Sequence, residues 1–137
     1  MSDTYDYAII RVVPRVERGE AVNVGVILSC PSLEFLEARV ELDAARLLAL
    51  DSTLDLDAVR AHLEMIPRVC RGGEDAGAIG ELAQRARFHW LVAPRSTMIQ
   101  MSSVHTGRTA DPGATLARAI DTLVRPPRTE AGPASRR

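Results

Sequence analysis

The sequence contains no lysine, and all 17 of its basic residues are arginines. Without a lysine amine the chain cannot form a Schiff base, and it has neither the lysine of a Walker A motif nor the strand lysine of protein kinases. Any phosphate group would have to be bound by arginine guanidinium groups and backbone amides. The absence of lysine therefore excludes these three enzyme classes.

Cysteine is scarce as well. The two cysteines, Cys30 and Cys70, are forty positions apart and lie among apolar neighbours, which predicts buried, reduced thiols. The sequence has no CxxC motif and no Cys/His cluster with zinc-binding spacing. The acidic run from Asp51 to Asp57 lacks the glycine and the terminal glutamate of an EF-hand. We therefore expect neither a metal site nor another cofactor.

Long apolar runs and a charge excess of one sign are also missing. The longest uncharged apolar run, residues 21–31, is too short to span a bilayer, and the first residues do not resemble a signal peptide. The net charge of −1 gives no global attraction for a polyanion or an anionic membrane. These features predict a soluble, cytoplasmic protein that does not bind membranes, and they disfavour nucleic acid as a partner.

Length and composition are those of one globular domain. The chain has 137 residues, of which 46% are hydrophobic and 26% charged. Neither an internal repeat nor a linker interrupts the sequence. We predict a single α+β domain over residues 1–124, followed by a disordered basic tail over residues 125–137.

Three N-terminal segments have the pattern of strands. Residues 7–13 and 22–28 are rich in β-branched residues and flank a polar segment that contains Gly19, as in an antiparallel hairpin. Residues 35–42 alternate between apolar and charged side chains. Short connections predict an antiparallel meander of these three strands. Because the first two are apolar on both faces, helices should cover at least one side.

Helices are predicted in the rest of the chain. Asp43 and Asp55 are placed as N-caps of two helices, the second of which should kink or end at Pro67 or end at Gly72–Gly73. A weaker helix is predicted over residues 78–85, and Asp111 with Pro112 marks the start of the last one.

Two later segments, residues 88–93 and 97–104, are candidate strands. The predicted fold class is therefore α+β, with an antiparallel meander of three N-terminal strands plus one or two later strands, packed with three to four helices.

Residues 87–107 hold the densest set of polar functional groups. His89 and His105 lie in this segment, and a loop could present the guanidinium, hydroxyl and amide groups of Arg95, Ser96 and Thr97 to an anion. An extended strand here would place His105 and Gln100 on opposite faces. The alternative is structural: Arg95 would pair with a carboxylate, and His89 would be a core histidine.

A second polar set lies in the first hairpin, where Arg11, Arg15 and Asn23 are candidate binding residues. Asn23 is notable because amide side chains are disfavoured in strand interiors, and Gly25 leaves space on the same face. A ligand could approach closely there. The alternative is that Asn23 bonds to the backbone of a neighbouring loop beside a packing glycine.

Three stretches together resemble a known family. They are Tyr5-Asp6-Tyr7-Ala8-Ile9-Ile10-Arg11-Val12-Val13-Pro14-Arg15, Val22-Asn23-Val24-Gly25-Val26-Ile27-Leu28 and the segment from Arg87-Phe88-His89-Trp90 to Thr106-Gly107. The chain is similar over about residues 5–124 to the bacterial domain-of-unknown-function family 3037. The resemblance implies no activity and no catalytic residues. It does imply a HipA-like kinase encoded nearby as a partner.

Three functions follow as hypotheses. The first is a non-catalytic accessory protein that binds a protein partner, with a HipA-like kinase as the partner that the resemblance implies. The second is a small enzyme or ligand-binding domain for a phosphate-bearing molecule, with His89 or His105 as general acid or base and Arg95 as the phosphate clamp. The third is nucleic-acid binding through the arginines of the tail.

Overall fold

The computed structural model describes residues 2–94 and 97–127. Five strands form one antiparallel sheet, and helices lie on both of its faces. The strands are β1 (Asp3–Val12), β2 (Val22–Cys30), β3 (Phe35–Val40), β4 (Ile99–Met101) and β5 (His105–Thr109). The helices are α1 (Ala44–Leu50), α2 (Leu56–Arg71), α3 (Gln84–Val92) and α4 (Pro112–Ala119). Short 3-10 helices span Pro31–Leu33 and Glu74–Glu81, and α4 continues as a π-helical turn, Ile120–Val124.

The predicted N-terminal meander is confirmed, because the strand order begins β3-β2-β1 with antiparallel pairing throughout. The outer side of β1 is shared by two short strands. Its C-terminal half pairs with β4 and its N-terminal half with β5. The strands β2 and β3 approach so closely at Gly25 that a Cβ there would lie 2.5 Å from the carbonyl oxygen of Arg39. Gly25 is therefore required by packing within the sheet.

Each face of the sheet has its own core, because alternate residues of a strand point to opposite sides. Ile10 and Ile27 pack on one side under α2 and α3, while Val26 and Leu28 pack on the other under α4. The hairpin that is apolar on both faces is thus covered by helices on both sides. Among the described residues, no helix is long and apolar enough to cross a membrane.

Three helix starts were predicted correctly from their caps. The side chains of Asp43, Asp55 and Asp111 each accept a hydrogen bond from a backbone N–H three residues on, at 3.1–3.2 Å. Helix α2 does not end at Pro67 but at Gly72, which has a φ of 76°. The apolar stripe of α2 continues past the proline and is buried in the core, which compensates for one lost backbone hydrogen bond.

The helix predicted over residues 78–85 is confirmed in part, and the strand predicted over residues 88–93 was wrong. The expected helix over residues 78–85 is divided, because residues 78–81 belong to the 3-10 helix and residues 84–85 to the start of α3. Residues 88–93 belong mainly to α3 rather than to a strand. Phe88 and Leu91, three positions apart, are both buried against the sheet, which is the spacing of one helix face. A short apolar run fits a strand or a buried helix equally well, and here tertiary packing favours the helix.

The expected continuous strand over residues 97–104 is interrupted. Strand β4 ends at Met101, residues 102–104 leave the regular pairing, and β5 begins at His105. Ser102 bridges the gap, since its backbone N–H donates to the carbonyl of Ile9 at 2.9 Å and its hydroxyl accepts from the N–H of Ile9 at 2.8 Å. The backbone of β1 therefore stays satisfied across the break. Of the predicted tail, residues 128–137 lie outside the described part of the chain.

Candidate functional site

An open apolar groove of about 500 Å³ lies between α2, the 3-10 helix, α3 and β4. It is built on the face of the sheet that these helices cover. The lining residues are His62, Met65, Ile66, Val69, Ala76, Ile79, Trp90, Leu91, Ala93, Thr97, Met98, Ile99 and Met101. We call this feature the Met/Trp groove.

The groove is named for the methionines and the tryptophan that are concentrated in its lining. Three of the four methionines of the chain and its only tryptophan line this one groove. Met65 and Trp90 are 39% and 40% exposed, so large apolar surfaces reach solvent at its rim. Methionine adapts its shape to different apolar partners, and both residue types are enriched where proteins bind one another.

The sequence positions these side chains through the residues next to them. On α2, Ile66 and Val69 are buried in the core, which leaves Met65 at the edge of the buried stripe. On α3, Phe88 and Leu91 anchor the helix, and Trp90 lies between them in sequence but at the surface. A helix buries only one stripe, so the neighbours of its anchors form the rim.

On β4 the register decides which side chains belong to the groove. Ile99 and Met101 line it and pack against the core on this side, while Gln100 points to the opposite face. Gln100 donates a hydrogen bond to the carbonyl of Thr97 at 2.8 Å, and Thr97 donates its hydroxyl to the carbonyl of Ile99 at 2.7 Å. Of the predicted anion-binding loop, Thr97 reaches the groove. Arg95 and Ser96 lie outside the described residues.

His89 lies near a polar cluster on the same face as the Met/Trp groove but is absent from the lining. In this cluster Asp6 accepts hydrogen bonds from Arg85 at 2.5 Å and from Thr106 at 2.6 Å, and Arg85 also donates to Ser29 at 2.8 Å. Burial alone would raise the pKa of Asp6. The two hydrogen bonds and the nearby positive charges outweigh burial, so this pKa lies below its ordinary value.

This cluster was missed from the sequence, because the first strand was predicted to begin at residue 7 and the partners of Asp6 lie 79 and 100 positions away. Its polar groups bond to one another and connect β1, β2, β5 and α3, so the cluster stabilises the fold. It joins α3 to the sheet at the end remote from β4.

His105 lies on the other side of the sheet from His89. It pairs across the strands with Tyr7, and the two rings are 5.2 Å apart, whereas its neighbour Thr106 pairs with Asp6 on the opposite face. His89 approaches Asp6. The two histidines predicted as alternative acids or bases are therefore separated by the sheet and do not share a pocket.

The candidate binding residues of the first hairpin contact other residues of the same chain. Asn23 accepts a hydrogen bond from Arg11 at 3.3 Å and donates one to the carbonyl of Leu123 at 3.0 Å. The Asn23 amide thus connects β2 to the π-helical turn. This agrees with the alternative in which Asn23 bonds to backbone elsewhere in the chain and does not bind a ligand. Arg15 lies in the exposed hairpin loop near Asp51, 3.6 Å away. Gln100 pairs with Arg11 across the strands, so Arg11, Asn23, Gln100 and His105 share the face toward α4, and Arg15 is apart from them.

Cysteine nucleophilic chemistry is not supported by the geometry. Cys30 and Cys70 are both buried with free thiols. Burial raises the pKa of Cys70 to about 12, so its thiol stays protonated near neutral pH. Within residues 2–94 and 97–127, no group of three or more His, Cys, Asp or Glu side chains is arranged to hold a metal ion.

The sequence comparison gives the family of the chain. No curated protein and no solved structure matches it. The profile of one family, DUF3037, a protein family of unknown function, matches residues 7–124, which is most of the described fold from β1 to the end of the π-helical turn. The resemblance noted from the first hairpin and from residues 87–107 is thus confirmed, and the chain belongs to the DUF3037 family.

Proposed function

We propose that this protein is a non-catalytic binding module that docks an apolar segment of a protein partner in the Met/Trp groove, and that the partner is a HipA-like kinase. One observation carries the proposal. The methionines at positions 65, 98 and 101 and the only tryptophan, Trp90, converge on one open groove from α2, α3, β4 and the residue just before β4.

Burial of apolar surface would drive the proposed binding. Met65 and Trp90 keep about two-fifths of their surface in water, and removing apolar surface from water is favourable by about 25 cal/mol per Å². The groove floor is already packed against the core through Ile66 and Leu91, so the site is largely preformed. A partner segment would therefore gain contact area at a small ordering cost.

The chemistry of the lining supports binding rather than catalysis. His62 is the one titratable side chain among the described lining residues, and no carboxylate or second histidine accompanies it there. A general acid–base mechanism needs a proton donor and a proton acceptor within hydrogen-bond reach of the substrate. The alternative is an enzyme with His89 or His105 as the acid or base and Arg95 as the phosphate clamp. It requires these side chains to share a pocket, and the placement of the two histidines on opposite faces of the sheet disfavours it.

The choice of a HipA-like kinase rests on the family resemblance, which implies such a kinase as a neighbour. The chain has no lysine and so supplies no kinase activity itself. A companion that binds the kinase is consistent with both facts. The apolar groove is the surface we assign to that contact.

The experiment is a binding measurement with the neighbouring kinase and two matched variants. Met65→Glu places a charge at the groove rim, and Leu48→Glu places one on α1, outside the groove; the two parent residues are 39% and 36% exposed. We expect co-elution of the wild-type proteins at micromolar concentration, and a roughly tenfold or greater loss of affinity for Met65→Glu alone. Separate elution of the wild-type proteins, or equal affinity of both variants, would contradict the proposal.

A further inference from the structure

The face of the sheet toward α4 carries a row of aromatic rings that no helix covers fully. Helix α4 packs against β2 and β3, and the row lies beside it on β1 and β5. The rings of Tyr5 and Tyr7 are 6.1 Å apart with an angle of 29° between their planes, and those of Tyr7 and His105 are 5.2 Å apart with an angle of 32°. Tyr5, Tyr7 and His105 thus form one continuous surface, which we call the aromatic row.

The backbone holds the first ring of the row in place. Tyr5 pairs with Gly107 across the strands, and a Cβ at Gly107 would lie only 2.7 Å from the Tyr5 ring. The ring therefore occupies the space that a side chain at position 107 would fill. Both tyrosines are half-buried and His105 is exposed, so their ring surfaces reach solvent. The row is preformed and accessible.

A cationic group borders the aromatic row. A cavity of about 290 Å³ is formed by Tyr5, Tyr7 and Leu28 together with Thr115, Arg118 and Thr122 on the helical side. Arg118 makes one hydrogen bond, to the hydroxyl of Thr115 at 3.2 Å. Within the described residues it forms no ion pair with a carboxylate, and no acidic residue lines the cavity.

Arg125, unlike Arg118, has carboxylate partners. Arg125 donates two hydrogen bonds to Glu41, at 2.9 and 2.8 Å, and lies 3.5 Å from Asp121. Arg118, seven residues earlier on the same helical segment, has guanidinium donors left over beside flat apolar surfaces. Its remaining donors suit an anion held in a planar, two-point manner.

We propose that the aromatic row and Arg118 bind a nucleotide, with its base on the Tyr5 and Tyr7 rings and its phosphate on Arg118. Every nucleobase has a flat face that stacks on aromatic side chains, and arginine is the preferred phosphate ligand. An apolar peptide would leave the guanidinium unpaired, and free phosphate would leave the rings unused. The nucleotide is either free or part of a single strand. This site is on the opposite face from the Met/Trp groove and is independent of it.

The test is an amide NMR titration of the whole chain with AMP, adenosine, inorganic phosphate and a single-stranded DNA decamer. We expect AMP to shift the resonances of Tyr5, Tyr7, His105 and Arg118 and to leave that of Trp90 in place. Adenosine and phosphate should each bind more weakly than AMP, because each supplies half of the contacts. A decamer that binds more tightly than AMP, with an affinity that falls as salt rises, would identify a nucleic-acid strand as the source. Equal binding of the two would identify a free nucleotide.

Four variants make the proposal falsifiable. Tyr7→Leu and Arg118→Gln should each weaken AMP binding roughly fivefold or more, since they remove a stacking surface and a phosphate contact. Tyr7→Phe keeps the ring and should bind as the wild type, and so should Arg60→Gln on α2. Arg118 is exposed on its helix, so its variant serves even if Tyr7→Leu fails to fold. No shift along the row at millimolar AMP or decamer, or full affinity in Arg118→Gln, would overturn the proposal.

Discussion

The two faces of the sheet carry surfaces of different chemistry. On one face, α2 and α3 stand beside β4 and leave the Met/Trp groove, whose lining is almost wholly apolar. On the other, α4 covers β2 and β3 and leaves the aromatic row with Arg118 at its side. The groove adjoins β4, and the aromatic row lies on β1 and β5. Because side chains alternate along a strand, each one points to only one of the two faces.

The two chemistries favour different kinds of partner. The groove gains free energy by removing apolar surface from water and has no charge to pair. The row combines stacking surfaces with a guanidinium that lacks a carboxylate, so it favours an anion with a flat ring. The two proposed surfaces, one for a protein partner and one for a ligand, lie on opposite faces and would not compete. Substitutions can disturb one face at a time.

The largest effect is expected from the helix anchors of the two faces. Phe88→Ala should lower the free energy of unfolding by about 3–5 kcal/mol, because its ring is almost fully buried between α3 and the sheet. Leu116→Ala, under α4 on the other face, should cost about 2–5 kcal/mol. Urea unfolding of both variants measures these values. A loss below about 1 kcal/mol at either position would mean that the corresponding helix layer is not packed as described.

A smaller effect is expected at Gly107, confined to the aromatic row. Gly107→Ala places a Cβ against the Tyr5 ring, and the displacement should cost about 1–3 kcal/mol in the free energy of unfolding. Gly113→Ala at the start of α4 is the control, because its Cβ would have its nearest neighbour at 3.6 Å and should cause no loss of stability. Thermal unfolding of the two variants compares them. Equal stability would show that Tyr5 does not lie over Gly107.

The smallest effect is a pH dependence from the cluster that joins α3 to the sheet. The pKa of Asp6 is lowered in the folded state, so the stabilisation is complete above the ordinary aspartate pKa of about 3.9 and is lost as the pH falls through the folded-state value. Asp6→Asn should therefore lose less stability than the wild type between pH 7 and pH 3.

Asp57→Asn is the control for that measurement, because its parent carboxylate is fully exposed and lies 3.8 Å from Arg60. Its stability should follow the wild-type pH dependence. If Asp6→Asn also follows it, the ion pair with Arg85 does not stabilise the fold.

The local parts of the fold could be predicted from the sequence. The hairpin of β1 and β2, the caps of α1, α2 and α4 and the helix end at Gly72 all depend on residues close together in the chain. The break at Ser102 could not be foreseen, since it depends on a hydrogen bond to Ile9, 93 positions away. The assignment of residues 88–92 to a helix likewise depends on what Phe88 and Leu91 pack against.

The candidate site was predicted in part. The segment of residues 87–107 was identified for its polar groups, but its contribution to the groove comes mainly from Trp90, Met98 and Met101. The fourth residue, Met65, comes from α2 and joins them only in the folded structure. The concentration of methionine and tryptophan in one segment was the signal that could have indicated the groove.

The central claim is that the Met/Trp groove receives a protein partner, and Trp90 offers a direct measurement of it. Because Trp90 is the only tryptophan, 5-fluorotryptophan incorporated into this chain gives a single fluorine resonance in NMR. We expect that resonance to shift when the unlabelled HipA-like kinase is added to the wild type or to Leu48→Glu, and to shift far less with Met65→Glu. A complex that forms while the resonance stays in place would contradict docking in the groove.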